Sequence, residues 1–213
     1  TTANTELYDG TSWTEVNNLG TARYAMGMAG TQTSSLVFGG NDNPNDNVTE
    51  LWNGTNWTGV NDLNDKRVQG GGVGVDNTSA LAFGGYDTPG GGPSAETETW
   101  NGTNWTEVND MNTGRYALAG AGTKTAALAM GGAAPSPSAL VEQWNGTNWT
   151  EVGDLNQSRR GLGASGSSPS SLAVAFAGQY GSPVTRTGVT ELWNGTSWTE
   201  TTDMSTARSH VAS

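Results

Sequence analysis

The chain has 213 residues, of which 33% are hydrophobic and 32 are Gly, a composition too thin for a helical core but normal for short strands and tight turns. A net charge of −11 argues against a nucleic-acid partner, which would require a Lys/Arg surplus on one face. Neither a cysteine for disulfides or thiolate metal sites nor an apolar run long enough to insert in a membrane occurs. The chain begins at Thr1 without Met or a signal-like segment, and so reads as a processed product or an excerpt of something longer.

One phrase is written five times, beginning at Thr5, Thr49, Thr97, Val141 and Thr190, with Thr49-Glu50-Leu51-Trp52-Asn53-Gly54-Thr55-Asn56-Trp57-Thr58 as its type. Its second tryptophans, Trp13, Trp57, Trp105, Trp149 and Trp198, are 44, 48, 44 and 49 residues apart, and ten residues after each stands Arg23, Arg67, Arg115, Arg159 or Arg208. A period of this size marks a repeat architecture. The unit boundaries fall at about 1–20 (partial), 21–64, 65–112, 113–156, 157–204 and 205–213 (partial).

Within the unit 65–112, the arginine is followed by the small-residue run Val68–Val75, where the lack of bulk predicts close backbone approach. The apolar run Ala80-Leu81-Ala82-Phe83, stopped by Gly84-Gly85, predicts a strand buried on both faces. After a variable loop comes Glu96–Trp100, whose alternation puts Glu98 and Trp100 on one face. Asn101-Gly102 predicts a hairpin into the fourth strand, Trp105–Val108. Each unit is therefore four short antiparallel strands, and helix is close to absent.

A glycine pair, an aromatic, and a tryptophan just past a turn, at this period, resemble the kelch repeat over the whole chain. Tyr8, Trp52, Trp100, Trp144 and Trp193 match its tyrosine, and the five second tryptophans match its tryptophan. Ala177-Gly178 departs from the glycine pair, and the turn between the aromatics is shorter than in most kelch repeats. The resemblance implies an all-β fold, a kelch-like β-propeller of four-stranded antiparallel blades. Four blades would be complete and one split: the N-terminus supplies two strands of it and the C-terminus one, which implies that the chain continues. The alternating spacings suggest duplication of two-blade units, so residues 1–213 are a single propeller domain or part of a longer array. The phrase WNGTNWTEVND is similar to kelch-like proteins of marine bacteriophages.

The five arginines, each five residues after Asn18, Asp62, Asp110, Asp154 or Asp203, read as structural, pairing bidentately with one of these or with the recurrent Glu6, Glu50, Glu98, Glu142 or Glu191. The aromatic pairs read as wedges between blades. The loops following the glycine pairs emerge on one face and carry the binding candidates Asp42, Asn43, Asn45, Asp46, Tyr86, Asp87, Gln179, Tyr180 and Arg186. Asp42–Asp46 lacks the closing acidic ligand of a calcium loop, and no metal or cofactor is expected. The Asn-x-Thr triplets are explained by the hairpins. His210 is the only histidine, and the carboxylates recur at equivalent positions where an active site would break the symmetry.

These readings converge on a non-enzymatic binding or structural module, extracellular or on a virion surface. Through the resemblance it becomes a phage fibre or appendage, contacting a host-surface glycan or another virion protein as a homo-oligomer or part of a larger assembly. The alternatives are a glycan-active hydrolase on the same scaffold and an intracellular protein–protein scaffold.

Overall fold

The computed structural model describes residues 2–41, 46–87, 91–165 and 171–210, and among them there is no helix. Four four-stranded antiparallel sheets follow one another, each with its strands in sequence order. Sheet I comprises Gly27–Thr31, Ser34–Phe38, Thr49–Trp52 and Trp57–Gly59. Sheet II comprises Gly71–Asp76, Ser79–Phe83, Thr97–Trp100 and Trp105–Glu107. Sheet III comprises Ala119–Thr123, Ala126–Met130, Val141–Trp144 and Trp149–Glu151. Sheet IV comprises Gly163–Ser165, Ala173–Phe176, Thr190–Trp193 and Trp198–Glu200. Ahead of them, Thr5–Tyr8 and Trp13–Val16 form a two-stranded ribbon.

The second strands are the core. Ala80 to Phe83 and Ala127 to Met130 have no exposed surface, as expected of strands covered on both faces. The third strands alternate: Glu98 and Trp100 are buried while Thr99 is partly exposed. At each hairpin the two tryptophans lie obliquely over one another, as in Trp100–Trp105 at 5.4 Å and 46°.

First strands of successive sheets lie against one another. A Cβ on Gly72 would stand 2.6 Å from the Met28 carbonyl oxygen, and one on Gly120 would stand 3.1 Å from that of Gly72. The close approach expected from the small residues is present. The second tryptophans bind each sheet to the one before it. Phe38 of sheet I meets Trp105 of sheet II edge-on at 4.9 Å, and Phe83 meets Trp149 in the same way at 5.1 Å. The indole N–H of Trp57, Trp105 and Trp149 donates to the Thr5, Thr49 and Thr97 hydroxyls of the preceding unit at 3.0, 3.1 and 3.0 Å.

Trp13 departs from the expected wedge. It is 66% exposed, with the Tyr8 ring 5.2 Å away across the hairpin.

Candidate functional site

The recurrent arginines are buried posts. Arg67 Nη2 reaches Glu98 Oε1 at 2.7 Å, Arg115 reaches Glu142 at 3.0 Å, Arg159 reaches Glu191 at 2.8 Å, and Arg23 pairs with Glu50 in the same way. The pairing is not bidentate as expected. In Arg115, Nη1 donates instead to the carbonyls of Gly131 and Leu140, while Glu142 Oε2 accepts from the main-chain N–H of Asn112. One pair thus ties three stretches of backbone. Burial pulls the Arg115 and Arg159 guanidinium pKa values below their ordinary value, and Glu142 and Glu191 oppose it. Asp62, Asp110, Asp154 and Asp203 do not serve as the arginines' partners. They accept the main-chain N–H of Thr49, Thr97, Val141 and Thr190. Arg208 differs from its four counterparts: it is exposed, and no ion pair is recorded for it among the described residues.

Two residues beyond each arginine the backbone turns left-handed, with φ of 57° at Ala25, 57° at Gln69, 52° at Ala117, 59° at Gly161 and 54° at His210. Each of the last four donates its N–H to the carbonyl of the one before it, at 2.8, 2.8, 2.8 and 2.7 Å. A left-handed residue aims its N–H and C=O at its two neighbours in this chain of bonds, an arrangement that outweighs the roughly 1 kcal/mol cost of the conformation for a non-glycine residue. All five line a cavity of about 600 Å³, with Tyr24 and Leu118 also on its wall. The sequence carried only a faint signal of this line, since just one of the five is glycine.

Next in sequence to the cavity-lining Ala117 and Gly161 are Tyr116 and Arg160, which belong to an aromatic and basic group. Tyr86 and Tyr116 meet edge-on at 5.4 Å, and the Tyr116 hydroxyl accepts from Arg160 Nη1 at 3.0 Å. Tyr24 is 56% exposed. Tyr24, Tyr116 and Arg160 occupy equivalent positions, one residue past their arginines, and were not singled out from the sequence.

Of the loop candidates, Tyr86 joins this group. Asp87 pairs in register with Arg67 and approaches Glu96 and Asp65, so burial, followed by Asp65, raises the pKa of both Asp87 and Glu96 against the pull of Arg67. Gln179 and Tyr180 pair with Arg186 and Thr185 in a short ribbon of their own, with Arg186 exposed. Asp46 is only 5% exposed, and its carbonyl receives the Arg67 N–H at 3.2 Å. Asp42, Asn43 and Asn45 lie outside the described residues.

The Asn-Gly-Thr triplets are absorbed by their turns. Asn101 Oδ1 accepts the N–H groups of Thr103 and Asn104, both at 2.9 Å. The next asparagine is used between sheets: Asn104 Oδ1 accepts from Asn61 Nδ2 at 2.7 Å. No protein-family model matches the chain, and no curated protein matches it.

Proposed function

We propose that the chain is a non-enzymatic binding module built as a kelch-like β-propeller, and that it takes a glycan on the face carrying Tyr24, Tyr86, Tyr116 and Arg160. The propeller reading is supported by sheets that stack through glycine-rich first strands and by left-handed residues bonded in series. One observation carries the ligand class. The group Tyr86–Tyr116–Arg160 breaks the repetition, since Tyr86 is replaced by Asn41, Ala133 and Gln179 at the equivalent positions. Flat rings offer C–H stacking surfaces to a sugar, and a guanidinium and phenol beside a cavity offer directional hydrogen bonds.

The phage-like wording of the repeats extends this proposal to an extracellular or virion appendage meeting a host-surface glycan or a neighbouring virion protein. The test is glycan-array binding of the parent chain and of Tyr86→Ala and Arg160→Ala. The expected result is a selective signal that falls at least tenfold in both variants without loss of fold. An unchanged array profile in both would sink the assignment.

A further inference from the structure

We infer that the row Arg160–Gln179–Arg186 is an anion subsite of the tyrosine face, so that the glycan taken there is an acidic one whose carboxylate or sulfate ester lies between the two guanidinium groups. This rests on the glycan reading of that face and adds the chemical class of the ligand.

The row is built by the backbone. The Arg160 N–H donates to the Gln179 carbonyl at 3.0 Å, and the Gln179 N–H donates back to the Arg160 carbonyl at 2.9 Å. On its other side Gln179 stands in register with Arg186. Residues directly opposite one another on neighbouring antiparallel strands send their side chains to the same face. Arg160, Gln179 and Arg186 therefore stand abreast, and the usual strand spacing puts the two arginine Cα atoms about 10 Å apart. A single oxyanion between them is within reach of both side chains, and the Gln179 carboxamide supplies a further donor. Arg160 is also fixed from the neighbouring unit, since its Nη1 donates to the Tyr116 hydroxyl at 3.0 Å and Tyr116 in turn meets Tyr86 edge-on. The row thus continues the aromatic surface.

The same row elsewhere carries no charge. It reads Val68–Tyr86–Pro93 in the unit of sheet II and Tyr116–Ala133–Pro137 in that of sheet III. The scaffold itself therefore has no need of arginine at either place. Pro93 is exposed although sheet III follows it, so the exposure of Arg186 belongs to the position.

The charges are out of keeping with the rest of the chain, which has 20 acidic residues and 9 basic ones. Arg23, Arg67, Arg115 and Arg159 are each taken up by a glutamate. Arg160 and Arg186 make no ion pair among the described residues, even though Arg160 is half-buried. Two cations this close repel, and an oxyanion between them turns the repulsion into attraction. The guanidinium fork matches a carboxylate or a tetrahedral oxyanion through paired hydrogen bonds. The tyrosine rings alongside would stack on the C–H face of the same sugar.

The test is an array of matched glycans: uronic-acid oligosaccharides beside their carboxyl-reduced forms, and sulfated galactans beside their desulfated forms. The parent is expected to prefer the charged member at least tenfold in one of the two sets, and that set names the oxyanion. Arg186→Gln is expected to lose the preference while keeping the parent's melting temperature. In parallel, glucuronate and inorganic sulfate are titrated into the parent and followed by the arginine Nε–H resonances. At least one of them is expected to shift Arg160 and Arg186 saturably and to leave Arg23, Arg67, Arg115 and Arg159 in place, while glucose shifts none. Glycan binding that treats charged and neutral members alike, or that ignores Arg186→Gln, would overturn the subsite and leave the tyrosine face standing. Shifts of both arginines with no glycan bound would overturn the glycan reading and leave an anion site. Neither signal would overturn both.

Discussion

Trp198 has a buried indole N–H with no hydrogen-bond partner, whereas Trp57, Trp105 and Trp149 each reach a threonine hydroxyl. The reason is a single substitution in the repeat. The position filled by Thr5, Thr49 and Thr97 in the earlier units is Val141, so the acceptor is a methyl group. An unsatisfied buried donor costs on the order of 1–3 kcal/mol, and Val and Thr have nearly the same shape. Val141→Thr is therefore expected to stabilise the protein by about 1 kcal/mol in urea unfolding, although Val→Thr in an apolar core ordinarily destabilises. The sequence displayed Val141 as the odd member of its column, but only the contact between sheets III and IV showed what the column is for. The Arg–Glu posts were visible in the same way: their recurrence marked them as structural, while the choice of glutamate over aspartate depended on which strand crosses the guanidinium.

Among the strands, the first of each sheet is governed by the space between sheets. Gly72 has no room for a side chain, because its Cβ would meet the Met28 oxygen and the Phe38 ring, both at 2.6 Å. Gly59, an exposed residue where the other units have Glu15, Glu107, Glu151 and Glu200, has nothing within 4 Å of its Cβ position. Gly72→Ala is expected to cost about 1–3 kcal/mol by overpacking, and Gly59→Glu to stay within about 0.5 kcal/mol of the parent; thermal unfolding of both variants checks the contrast. The strands themselves were legible because alternation, Asn-Gly turns and glycine pairs are local signals. The short pairings Arg67–Val68 with Tyr86–Asp87 and Gln179–Tyr180 with Thr185–Arg186 were not, since two-residue strands carry no period to read. At Ala177 the backbone keeps the left-handed form of the first glycine of each pair, with φ 62° against 64° at Gly39 and 60° at Gly84, so the departure from the glycine pair is one of side chain and not of conformation.

At the scale of the molecule, 20 acidic residues against 9 basic ones make a desolvated carboxylate without an arginine post of its own expensive. Asp87 and Glu96 are half-buried carboxylates whose pKa values are raised by burial, with Asp65 adding to the rise and Arg67 opposing it. The folded state therefore holds their protons to higher pH than the unfolded chain does. Their contribution is fully present below the ordinary carboxylate pKa and is lost as pH rises through the raised folded values. Removing both charges with Asp87→Asn and Glu96→Gln is expected to raise the melting temperature at pH 7 relative to the parent, with the difference shrinking toward pH 4. Melting curves across that range would contradict the account if the two proteins ran parallel.

The sequence by itself determined the all-β class, the period and the four-strand unit, because each is written in local patterns repeated until chance is excluded. The tertiary structure decided what those patterns could not hold: the series of left-handed residues beyond the arginines, and the tyrosine and arginine group assembled from different repeats. These features arise where separate units meet. Residues brought together across 40 or more positions, as Tyr116 and Arg160 are, leave no mark in the residues between them.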